Sequence, residues 1–149
     1  MTKGMAIFLL PLALMGCGEK PKDVAYYLTN ETDRKEKLAE CRQVSGALKT
    51  DKNCETAMIA EREYRIEGLK TLAMDIVRKQ LKDPESARFS HVTYQKRTNN
   101  ICGYVNAKNS YGGYVGDRSF VIVNGRVNLS DGTSPAYDEY IATMCSIKE

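Results

Sequence analysis

The chain has 149 residues, with 22 lysines and arginines against 19 aspartates and glutamates, five cysteines, one histidine and no tryptophan. That length suits one domain or two small ones. A net charge of +3, with no basic stripe or interleaved aromatic run, argues against nucleic acid as a partner. A lone histidine and the lack of any C-x-x-C pair argue against a zinc site, and no metal or cofactor is expected.

The first element is a leader. Lys3 precedes a mostly apolar run from Met5 to Met15, the pattern of a secretory signal peptide. The run is shorter than the roughly 20 apolar residues that span a bilayer, and no later run is longer. Leu14-Met15-Gly16-Cys17 resembles the lipobox of bacterial lipoproteins. The resemblance implies that the Cys17 thiol takes a diacylglycerol, that cleavage falls before it, and that the new amino group is acylated with a fatty acid such as palmitate. Two or more acyl chains hold a protein stably on a membrane. Gly18, where an aspartate would favour inner-membrane retention, points to the periplasmic side of the outer membrane. Residues 1–16 are therefore read as a lipoprotein signal peptide and 17–29 as a lipid-anchored tether.

Residues 30–68 read as a helical hairpin. Asn30 is placed to cap a helix with Glu31 and Asp33 in its first turn. Leu38 and Cys41 share one face, and Ser45-Gly46 ends the run. A second helix starts at the Asp51–Asn53 cap and carries Cys54, Ala57 and Met58. Glu31/Lys35, Asp33/Lys37 and Glu61/Arg65 stand in the favourable i,i+4 order, which suits a solvated helix face or a surface for a partner.

Residues 69–149 read as an α+β domain, with Gly68 marking a kink or break before it. Ile66, Leu69, Leu72, Ala73, Ile76, Val77 and Leu81 form a 3.6-period stripe, expected to be core and to end near Lys82, because Asp83-Pro84 disfavours continuation. Strands are expected at Phe89–Lys96, Ile101–Ala107, Ser119–Val123 and Arg126–Leu129. Asn124-Gly125 between the last two predicts a type I′ hairpin. Ser134-Pro135 predicts the N-cap and first residue of a helix running to about Ile147. The fold class is thus α+β: a disulfide-clipped helical hairpin and long helix, a small antiparallel meander of about four strands, and a C-terminal helix.

With Cys17 lipidated, four cysteines remain, an even number suited to an oxidising compartment. Of three possible pairings, Cys41–Cys54 and Cys102–Cys145 keep each bond within one structural unit. The chain-entropy model assigns such loops about 3 and about 4 kcal/mol.

No catalytic residue is expected. His91 falls in a strand, no nucleophile-elbow sequence occurs, and Gly112-Gly113-x-x-Gly116 precedes a strand instead of opening a helix, so it is no dinucleotide fingerprint. No small-molecule substrate is expected either. The informative stretch is "NAKNSYGGYVGD", residues 106–117, longer than a hairpin needs. Tyr111, Gly112, Gly113 and Tyr114 in it are the candidate partner-binding residues, since tyrosine is favoured in binding surfaces. The alternative is a loop whose two rings fold back over the sheet.

The N-terminal part resembles the entry-exclusion lipoproteins of the EexN type, encoded on conjugative plasmids. The resemblance rests on Cys17-Gly18, Tyr26-Tyr27-Leu28, Asn30, Arg34, Lys37-Leu38, Glu40-Cys41, Asn53-Cys54 and Ala57, and covers about residues 14–60. It implies an envelope protein that blocks uptake of a plasmid the cell already carries, acting by binding on a component of the donor's type IV secretion apparatus. "DPESARF" and "CGYVNAKNSYGGYVG" in the C-terminal half resemble an uncharacterised proteobacterial module. Two other functions stay open: a periplasmic lipoprotein inhibitor of a hydrolase such as lysozyme, and a structural lipoprotein of an envelope assembly.

Overall fold

The computed structural model describes residues 20–43 and 51–146; the signal segment, Cys17 and Ser45-Gly46 lie outside them. Chain order is α1 (Val24–Thr29), α2 (Glu31–Gln43), α3 (Lys52–Arg78), a 3-10 turn at Pro84–Ser86, β1 (Arg88–Tyr94), β2 (Ile101–Asn106), β3 (Arg118–Val123), β4 (Arg126–Leu129) and α4 (Pro135–Cys145). This is the α+β arrangement expected, and Cys41–Cys54 and Cys102–Cys145 are both bonded, each with Cα atoms 5.9 Å apart.

The segment read as a tether to residue 29 is helical at its end. The Asp23 carboxylate accepts from the Tyr26 amide and caps α1. A helix of six residues is unstable alone, so the cause is docking. Tyr27 is wholly buried against Ala57 and Ala60 of α3, with Leu38 of α2 packed alongside. A buried tyrosine removes some 150–250 Å² from water. The Lys22 amide donates to Asn53 Oδ1 at 2.7 Å, fixing the chain to the start of α3 even before α1 begins.

Arg34 joins all three helices. It is fully buried; Nε donates to Glu61 Oε2 at 3.0 Å, Nη1 donates to the Tyr27 carbonyl at 2.7 Å, and the guanidinium lies 4.4 Å from the Tyr64 ring centroid. Of the expected i,i+4 pairs only Glu31–Lys35 forms, at 2.5 Å. Glu61 turns to Arg34 instead of Arg65, and Asp33 pairs with Lys22 and accepts the Tyr26 hydroxyl instead of meeting Lys37. The Tyr26 hydrogen bond holds the Asp33 carboxyl below its ordinary range, and the same bond raises the Tyr26 phenol. Asn30, expected to cap α2, uses its side-chain amide to close α1 at the Tyr26 carbonyl.

Helix α3 begins as expected at Asp51, whose carboxylate accepts from the Asn53 and Cys54 amides. It then runs through Gly68 without a break, so the boundary drawn between 68 and 69 falls inside one helix. A single glycine costs a helix only about 1 kcal/mol relative to alanine, which packing at both ends outweighs. The last helical residue is Arg78, short of Lys82. The apolar stripe is core only in part: Ala73 and Val77 are buried, whereas Leu69 and Leu72 are 42% and 56% exposed. They border a shallow groove shared with Ile101, Ile122 and the Asn124-Gly125 turn.

The sheet is a meander in the order β1-β2-β3-β4, antiparallel throughout. Its two faces follow the alternation of the sequence. Ile101, Val105, Phe120 and Ile122 pack on Ala73 and Val77 of α3, while Cys102 and Val121 pack on Ile141 of α4. Asn124 (φ 49°) and Gly125 (φ 76°) both take the left-handed backbone of the predicted turn. Gly103 has no room for a side chain, because a Cβ there would lie 2.8 Å from Phe120 Cζ and 3.2 Å from Val92 Cγ2. Phe120 is fully buried and cannot swing aside. Gly103→Ala is therefore expected to destabilise the protein by about 1–3 kcal/mol, read by denaturant melting; an unchanged midpoint would show that the ring yields.

Candidate functional site

The loop between β2 and β3 is a built structure. Lys108 and Tyr114 form an antiparallel bridge that closes its base. Within it the Asn109 amide donates to the Gly113 carbonyl at 2.9 Å and the Gly112 amide to the Asn109 carbonyl at 3.0 Å. Asn109 Oδ1 accepts from the Tyr111 and Gly113 amides at 2.9 and 3.1 Å. Gly112, at φ 81°, takes a backbone that a side chain would strain. Asparagine and glycine thus set a five-residue turn with Tyr111 near its apex.

The base of the loop is held from outside. Ser86 Oγ accepts from the Lys108 amide at 2.8 Å, and the Tyr114 hydroxyl donates to the Ser86 carbonyl at 3.3 Å. The Arg88 guanidinium lies 4.3 Å from the Tyr114 ring centroid and Lys108 Nζ 5.7 Å from it. Through Ser86 and Arg88, "DPESARF" clamps the base of the loop in "CGYVNAKNSYGGYVG".

The four candidate residues separate into two roles. Tyr114 is 40% exposed and braces the loop between two cations. Tyr111 is 96% exposed, an aromatic ring held out in water by a turn that fixes its backbone. Gly112 and Gly113 shape the turn. The two tyrosines, expected as one unit, are divided by a contact with Ser86, distant in sequence.

His91 stands in β1 as expected, but at a bulge. The β1–β2 register shifts between Ser90 and Thr93, and His91 takes φ 51°. Its exposed ring meets Tyr104 edge-on, with centroids 6.2 Å apart. No nucleophile is hydrogen-bonded to it among the described residues. Cys17 lies outside the described residues. Among the described residues no group of three or more histidine, cysteine or acidic side chains is placed to hold a metal ion, and no helix is long and apolar enough to cross a membrane.

Half of the described residues that carry the N-terminal resemblance are scaffold. Tyr27, Arg34, Asn53, Cys54, Ala57 and Cys41 are all buried where α1 and α2 dock on α3. A scan against protein-family models finds no match, and comparisons with curated proteins and with solved structures likewise find none.

Proposed function

We propose that this chain is a lipid-anchored protein of the cell envelope that mediates entry exclusion, binding a component of the conjugative type IV secretion apparatus through the loop that bears Tyr111. The observation that carries the reading is Tyr111 itself, held 96% exposed on a braced turn. An aromatic displayed in water on an ordered turn is a ready anchor for a partner, because the backbone that carries it is already fixed.

The anchor supports the same reading. The Lys22 amide is hydrogen-bonded to Asn53 on α3. Five residues separate Cys17 from Lys22, a reach of at most about 18 Å for extended chain. A lipid on Cys17 would thus hold the α1–α3 unit close to the bilayer, and Gly18 favours the periplasmic face of the outer membrane as that bilayer. Helix α3, about 40 Å long at 1.5 Å per residue, is the strut that joins this unit to the sheet and its loop. Two disulfides in so small a body suit an oxidising compartment.

The test has two arms. Fatty-acid label should enter the wild-type chain and not Cys17→Ala, which should remain uncleaved or mislocalised; equal label in both would remove the anchor. Recipients expressing the chain should take up the cognate plasmid less often than recipients without it.

A further inference from the structure

Beside α4 a cleft of about 460 Å³ opens over the sheet. It is lined by His91, Tyr104, Asp117, Ser119, Ser130 and Asp138, among others, with no lysine or arginine. These residues come from separate strands, a loop and a helix, so nothing local in the sequence marks them.

Several features converge on this space. The β1 bulge, a device that re-aims side chains, places His91 in the cleft wall with a left-handed backbone, a conformation retained at sites where the surroundings enforce it. Tyr104, 45% exposed, meets the His91 ring edge-on at the same wall. On the helix side, Asp138 Oδ1 is buried with no hydrogen-bond partner among the described residues. Asp117 is exposed, but Asp138 is partly withdrawn and makes no ion pair among the described residues, whereas the ordinary state of a withdrawn carboxylate is to be paired.

We propose that this cleft binds an organic cation, an ammonium or guanidinium group, with Asp138 as its counter-charge and Tyr104 as its aromatic wall. Anions would face two carboxylates and no compensating lysine or arginine. A metal ion is less suited, since the described residues hold no cluster of three histidine, cysteine or acidic side chains. A guanidinium answers each feature: it forms charge-assisted hydrogen bonds to a carboxylate, stacks on an aromatic face, and donates to the Ser119 hydroxyl. The cleft is distinct from the Tyr111 turn, and the proposal does not depend on exclusion.

The experiment is an NMR titration of the full, oxidised chain in detergent with three probes: N-acetyl-arginine amide, agmatine and N-acetyl-citrulline amide. Both cations should shift the Gly103 and Ser119 amides saturably, and citrulline, similar in shape but uncharged, should bind about tenfold more weakly or worse. Asp138→Asn should weaken the cations about tenfold at an unchanged melting temperature; should that variant lose stability, Tyr104→Leu supplies the same test from the aromatic wall. Tighter binding of N-acetyl-arginine amide than agmatine would assign the cation to a protein side chain, and the reverse to a free amine. Equal binding of citrulline, shifts confined to residues outside the cleft, or no saturation with either cation would overturn the proposal. Plasmid uptake is not read, so failure here leaves the exclusion reading standing.

Discussion

Replacing Cys102 and Cys145 together with serine will lower the melting temperature by about 15 °C, the largest stability loss expected of any change to this protein. The bond closes a loop of 43 residues between β2 and the last residue of α4. Its removal returns about 4 kcal/mol of chain entropy to the unfolded state in the loop-closure model. For a chain of this size each kcal/mol shifts the midpoint by roughly 3–5 °C. Besides the bond, α4 is held to the sheet by Ile141, its one fully buried side chain, by the Tyr137 hydroxyl, which donates to Asn128 Oδ1 at 3.3 Å, and by Asn100 Nδ2, which donates to the Met144 carbonyl at 3.2 Å. Cys41–Cys54 closes only 13 residues, and α1, α2 and α3 are also tied by Arg34 and Tyr27. Its removal should therefore cost less, about 3 kcal/mol. Calorimetry on both double mutants decides the order; a milder loss at Cys102–Cys145 would mean that α4 loosens in the native state once its staple is gone.

Tyr111→Ala carries the largest expected effect on function. The ring makes no packing contact that its 96% exposure would allow to matter for folding, so melting should be unchanged. Truncating an aromatic anchor at an interface commonly costs 2 kcal/mol or more, about thirtyfold in affinity, and exclusion should fall accordingly. Tyr114→Ala should behave in the opposite way. Its ring lies over Arg88 and Lys108 and its hydroxyl reaches Ser86, so its loss should loosen the loop, lower stability and reduce exclusion only through the turn. Measuring melting temperature and plasmid uptake on each single mutant separates the roles. Full exclusion by Tyr111→Ala at normal expression would move recognition to the charged face of α2 and α3.

What the sequence revealed was local or set by parity. Asn124-Gly125 announces its turn because both positions need positive φ, and the cysteines announce their pairing because each bond stays within one unit. What it concealed depended on contacts between distant segments. Helix α1 exists because Tyr27 has Ala57 and Ala60 to rest on, and no propensity in six residues shows that. Leu69 and Leu72 keep the period of a buried stripe while standing beyond the region the sheet covers. Tyr111 and Tyr114 look equivalent in the chain, and only the clamp from Ser86 and Arg88 divides them. The cleft around Asp138 was invisible for the same reason, since Tyr104 and His91 reach it from strands that a bulge has re-aimed.

The most direct test of the account is plasmid transfer frequency, measured from one donor strain into matched recipients that carry no chain, the wild-type chain, Cys17→Ala or Tyr111→Ala, with the donor holding the conjugative plasmid whose uptake the chain is proposed to block. If the chain excludes plasmids through Tyr111, transfer should drop sharply with the wild-type chain and recover almost completely with either variant, although Tyr111→Ala is still exported and folded. Equal transfer into all four recipients would contradict it.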